Sequence, residues 1–329
     1  MRLTLCLSAL LILTAPLARA DVAMALRNHI LPGFSGFAAQ TAGLSEAAAL
    51  DCRPAALIPA YHAAFDAWMT VADLRIGPSE TGALSVAFWP DDKGFTARTL
   101  RRMIAEADPV IEDTEGFTEV SIAARGLFAL EMLLFDPEFS GYDQNSYSCA
   151  LARAIVIDLA AQAQALDRAW AGEFADVLTS AGAAENSTYL VPEEAFRALY
   201  TQMMFSLELS ADLRLGRPMG TPERPRPRMA EAWRSDRSLR NVTLAVDAVE
   251  NLALMLSGEA LPGTRSTASA VHEAADRVTD PGFGNIEDPT ARFHLEILQG
   301  AIRKMHDAIQ DEIGTPNGIV AGFNARDGD

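Results

Sequence analysis

No stretch of this chain alternates apolar and polar residues for long enough to make a half-buried strand. Alanine and leucine recur instead at the three- and four-residue spacing that gathers them on one face of a helix. That pattern restricts the fold to packed helices. They are expected at about 22–50 (bent or broken at Pro32), 54–76, 94–107, 118–135, 147–184, 191–215, 238–257, 266–279 and 288–312. Pro192, followed by Glu193 and Glu194, sets a helical φ and puts two carboxylates in a first turn. Asp288-Pro289 reads as an N-cap and first helical residue, and Ser238 can cap its helix. Gly77-Pro78 and Trp89-Pro90-Asp91-Asp92 mark a loop over 77–93, and five prolines or glycines precede Pro227 in a second loop over 216–237.

The chain carries a faint internal echo. Ala72-Asp-Leu-Arg-Ile-Gly77 recurs as Ala211-Asp-Leu-Arg-Leu-Gly216. Each copy closes a helix and opens a proline-bearing loop. Each loop then delivers a tryptophan with an aspartate three residues on, Trp89 to Asp92 and Trp233 to Asp236. Arginine then glycine is ordinary chemistry at a helix end, so coincidence and duplication both stand. A duplication would give an all-α protein of two helical bundles, 21–140 and 146–329, with a shared site in the cleft between them.

Residues 1–20 read as a cleavable signal peptide: Arg2, an apolar run over 3–17, then Ala18-Arg19-Ala20 before Asp21. The expected location is therefore the periplasm. Removing Arg2 and Arg19 leaves 25 basic against 44 acidic residues, so the net charge moves from −17 to −19. So acidic a surface repels nucleic acid and anionic lipid. Two cysteines, Cys52 and Cys149, survive processing and read as one disulfide in an oxidising compartment, with two buried free thiols as the alternative.

The most informative segment is Ile122-Ala-Ala-Arg-Gly-Leu-Phe-Ala-Leu-Glu-Met-Leu-Leu-Phe135. Only Arg125 and Glu131 are charged in these fourteen residues, so the helix should be buried almost all round. A carboxylate there is costly unless it is paired, protonated or bound to metal. Pairing with an arginine across the core and service in a functional pocket are both open, and Gly126 would let another backbone approach closely.

Gly126-Leu-Phe-Ala-Leu-Glu131 resembles the Gly-x-His-x-x-Glu signature of imelysin-like proteins. Leu74-Arg-Ile-Gly-Pro78 with Phe88-Trp-Pro-Asp-Asp-Lys-Gly94 is similar to that family's arginine loop and tryptophan-proline segment. Ala232-Trp-Arg-Ser-Asp-Arg-Ser-Leu-Arg-Asn241 is similar to its second-half signature, and the tail from Gly322 to Asp329 to its usual ending. The resemblance implies a two-domain helical fold with a site at the domain interface, a peptidase label carried from an insulin-cleaving relative, and a link to iron-regulated uptake. This chain departs from the signature at its histidine, which is Phe128 here. Phenylalanine offers no metal donor. Iron or another divalent metal is therefore expected to bind only weakly, through Glu131.

No other constellation builds a zinc centre or a nucleophile. His-Glu-x-x-His is absent. His62 with Asp66, and His272 with Asp276, share helical faces and read as solvated pairs or ordinary packing; His29, His294 and His306 are dispersed, and Met203-Met204 reads as core. The remaining candidate cleft comprises Arg75, Trp89, Asp91, Phe128, Glu131, Trp233, Arg234, Ser235 and Ser238. The arginines and serines suit a carboxylate-bearing ligand or the neutralisation of Glu131. The leading expectation is a non-catalytic binding protein tied to iron or metal acquisition, taking a small ligand or metal between its domains with a membrane-bound uptake partner. An imelysin-type metallopeptidase and a helical scaffold docking a membrane partner are the alternatives.

Overall fold

The computed structural model describes residues 21–319. The segment read as a signal peptide and the tail motif lie outside them. Among the described residues ten principal helices make the fold: α1 Leu31–Leu50, α2 Pro54–Met69, α3 Ser79–Val86, α4 Phe95–Glu106, α5 Gly126–Phe135, α6 Tyr147–Ala169, α7 Pro192–Glu208, α8 Ser238–Ser257, α9 Pro262–Ala275 and α10 Pro289–Ile309. Among the described residues the sole strand-like feature is an isolated bridge between Thr221 and Arg224. Helix α1 packs on α2 and α6, and α5 on α2 and α6. Helices α7, α8, α9 and α10 pack on one another, and α8 also meets α2. A division between 140 and 146 would part α6 from α1 and α5, the helices on which it rests. The span 147–179 is long and apolar enough to cross a bilayer by composition, yet 56% of its apolar window is buried inside the protein, as in a core helix. Cys52 and Cys149 are bonded as a disulfide, fixing the start of α2 to the start of α6.

Most expected helices form, and the exceptions have local causes. The first does not break at Pro32; the turn before it, Leu26–Ile30, widens to π geometry, which accommodates the donor that proline lacks. Residues 70–73 leave the helix as turns instead of continuing to 76, and this brings Asp73 against Arg214. The helix expected from 118 begins only at Gly126, which sits at φ +69°. A Cβ there would come within 2.2 Å of the Val86 carbonyl oxygen, so the predicted close approach is real and is made by the end of α3. Helix α3 lies inside the span read as a loop, anchored where Trp170 Nε1 donates to Ser79 Oγ at 2.7 Å. Asp288 caps α10 as expected, accepting from the Thr290 and Ala291 amides. Glu194 accepts from the Leu190 amide at the start of α7. Ser238, expected to cap, is instead the first helical residue of α8, and its hydroxyl makes no hydrogen bond.

Candidate functional site

Every residue from Gly126 to Leu134 is buried, so α5 is the central rod of the first helix group. Glu131 is 2% exposed. Its carboxylate is held from the other side of the molecule: the Ser235 amide donates to Oε1 at 3.0 Å and the Ser235 hydroxyl at 2.7 Å. Among the described residues no arginine pairs with it: Arg234 donates instead to Asp136 at 2.7 Å. The turn Trp233–Ser235 that aims these donors is flanked by two non-glycine residues in the left-handed region, Ala232 at φ 49° and Asp236 at φ 53°. Such conformations cost about 1 kcal/mol or more each and persist only where the surroundings impose them.

Those surroundings are two buried arginines. Arg214 donates to Glu231 through Nε and bidentately to Asp73, all at 2.8–2.9 Å, and Asn241 also donates to Glu231. Arg237, 1% exposed, donates to Asp66 at 2.6 Å, contacts His62 Nδ1 at 3.0 Å and lies over the Phe65 ring. Glu231 precedes the Ser235 turn and Arg237 follows it, so the turn is tied down at both ends. Burial alone would raise Asp73, but Arg214 outweighs it and holds that carboxyl below its ordinary range. Burial would likewise raise Asp66, but bonds from Arg240 and Arg237 hold it low. Glu131 goes the other way. Burial lifts it from 4.5 to about 6, against the Ser235 hydrogen bonds and the Arg234 charge, with the Glu231 charge adding to the rise.

Glu131 forms part of the wall of a cleft of about 590 Å³ between the Trp89 loop, α5 and the Trp233 segment. Six of the residues expected at a site, Trp89, Asp91, Phe128, Glu131, Trp233 and Arg234, line it. Ser235 buttresses the wall through Glu131, and Ser238 is buried at the start of α8. Arg75 is outside the lining. Its amide donates to Gln202 at 2.7 Å, and burial lowers its guanidinium, which faces the charges of Asp73, Arg214 and Glu231. With Arg75, that buried cluster holds two acids and two bases. Asp91 is engaged locally, accepting from the Phe95 and Thr96 amides at the start of α4. Residues 136 and 228, not among the sequence candidates, also line the cleft: Asp136 as the Arg234 partner, Arg228 at 5.8 Å over the Trp233 ring. The Arg224-Pro-Arg-Pro-Arg228 run was the sequence signal for the latter.

The side chains do not fit a metal ion here. Phe128 packs edge-on against Phe65 at 5.6 Å and has no donor atom, while Glu131 spends one oxygen on Ser235. Among the described residues no three His, Cys, Asp or Glu side chains converge in metal-ligating range. His62 and Asp66 meet arginines, and His272 meets Asp247 at 2.8 Å, not Asp276. The cleft can therefore offer aromatic and thioether surface, hydrogen-bond acceptors and guanidinium groups.

The imelysin family model matches residues 30–315. An imelysin-like protein from Psychrobacter arcticum, of known structure, superposes with a TM-score of 0.71 at 16% identity, over 92% of this chain and 95% of the other. A protein described as an iron-regulated protein A precursor, from Parabacteroides distasonis, superposes with a TM-score of 0.65 at 15% identity, over 88% and 94%. No curated protein sequence is detectably similar to the chain. At these identities the likeness of the two structures concerns the fold.

Proposed function

Because the chain belongs to the imelysin family, we propose that it is a non-catalytic binding protein, exported to the periplasm by a cleaved signal peptide and serving iron or metal acquisition, which takes a small organic ligand into the Glu131 cleft. One observation carries this reading. The residue in place of the signature histidine is Phe128, and the remaining acid is secured by Ser235 from across the cleft, leaving one wall oxygen without a partner among the described residues. A metallopeptidase needs a metal-bound water and a base, and a lone carboxylate bordered by phenylalanine supports neither. The iron link rests on the description of the Parabacteroides relative as iron-regulated and a precursor, the latter also supporting export.

Two measurements on the mature protein test the reading. Titration of iron(II), iron(III) and zinc into chelator-treated protein should show no sub-micromolar binding that depends on Glu131. Incubation with insulin B chain should leave the peptide intact. Metal-dependent cleavage lost in Glu131→Gln would refute the proposal, and so would tight metal binding lost in that variant. Dependence of its expression on iron supply would support the uptake assignment.

A further inference from the structure

The charges around the cleft can be sorted by what already neutralises them. Asp91 accepts two amides of the α4 N-terminus. Asp92 is paired with Arg217. Asp136 is paired with Arg234, whose guanidinium also stacks 4.5 Å from the Trp233 centroid. Two charges are left over. Glu131 Oε2 accepts no hydrogen bond from any described residue, although the side chain is almost wholly buried and lines the cavity. Arg228 has no carboxylate and no hydrogen-bond acceptor among the described residues; its guanidinium lies 5.8 Å from the centroid of the Trp233 ring. The apolar part of the same lining is largely aromatic and thioether: Phe88, Trp89, Phe128, Met132 and Met229.

A buried acid and an exposed guanidinium left over in one aromatic cavity are complementary to a molecule with the opposite pair of charges. Resting on the binding role proposed above, we infer that the ligand of this cleft is a small zwitterion: an amine whose N–H group donates to Glu131 Oε2 and a carboxylate met by Arg228, both carried on an apolar or aromatic body. Hydrogen bonds involving a charged group are the stronger ones, so removing either partner should weaken binding by about ten-fold or more. The size fits: a cleft of about 590 Å³ lies within the usual ~300–1,000 Å³ range of small-molecule sites. A simple anion would satisfy Arg228 but face the Glu131 carboxylate, and a simple cation would leave Arg228 unmatched.

Tryptophan fluorescence can read this directly, since Trp89 and Trp233 both line the cavity. Three probes share one aromatic body: phenylalanine with both charges, phenethylamine with the amine alone, and 3-phenylpropanoate with the acid alone. Phenylalanine should saturate the signal at about ten-fold or more lower concentration than either single-charge probe. Glu131→Gln should erase its advantage over 3-phenylpropanoate, and Arg228→Ala its advantage over phenethylamine. Arg228 is exposed, and glutamine keeps an acceptor for Ser235, so both variants should retain the far-ultraviolet circular dichroism of the parent. Equal saturation by all three probes overturns the inference, as does a preference for a single-charge probe or no saturation by any of them. Repeating the phenylalanine titration with zinc and with iron separates the two proposals. A metal that tightens binding through Glu131 refutes the metal-independent reading of the site, whereas loss of charge discrimination without any metal effect refutes the zwitterion alone.

Discussion

Glu131→Gln should stabilise this protein at neutral pH and do nothing in acid. The carboxyl is raised from 4.5 to about 6 in the folded chain, chiefly by burial. At ~1.4 kcal/mol per pH unit, that displacement corresponds to about 2 kcal/mol. Its sign follows from proton counting. Between pH 4.5 and 6 the native state binds the proton more tightly than the unfolded chain does, so this group's contribution is most favourable below pH 4.5. It declines as the pH rises to about 6 and is constant beyond. Glutamine is nearly isosteric, cannot ionise, and keeps an oxygen to accept from the Ser235 amide and hydroxyl. The variant should therefore match the parent near pH 4 and exceed it by up to about 2 kcal/mol near pH 7.5. In urea, with the disulfide intact and a slope of ~3 kcal/mol/M, this is a midpoint about 0.7 M higher. A loss of stability near pH 7.5, or an equal difference at both pH values, would refute the claim that Glu131 is an unpaired buried acid.

Other perturbations have equally definite outcomes. Arg214→Met leaves Asp73 and Glu231 buried without their shared cation, and should cost about 3–5 kcal/mol in urea denaturation. Gly126→Ala places a methyl group on the Val86 and Ser85 carbonyls at a left-handed φ; a loss of at least ~2 kcal/mol, seen as a lower Tm, is expected. Reducing the Cys52–Cys149 bond, which spans 97 residues, should lower stability by about 4–5 kcal/mol on the chain-entropy account, measured by urea denaturation with and without reductant.

The all-helical fold was legible in the three- and four-residue recurrence of alanine and leucine, and the burial of the 126–134 rod in its near absence of charge. Gly126, Trp89, Glu131 and Trp233 could be picked out because each is an unusual residue for its setting. What could not be read were long-range partners. Spacing along the chain says nothing across the 104-residue separation of Glu131 and Ser235, so an arginine was as plausible a partner as a serine. Arg75 and Arg214 occupy matching places in the echoed segments, yet Arg214 forms the buried bridge to Asp73, and Arg75 stands outside the cleft lining. Helix α3 was hidden by its turn residues, because Ser79-Glu-Thr-Gly has little intrinsic helical preference and tertiary packing decides the matter.

The Ser235 turn rests on two piers, Arg214 gripping Glu231 on one side and Arg237 gripping Asp66 on the other. A span fixed in this way is finished before any guest arrives, so little ordering entropy is charged against association. It also separates what can vary from what cannot. Exposed rim residues such as Asp92 and Arg228 can be exchanged to suit a new guest, while the piers and the span between them must be inherited together.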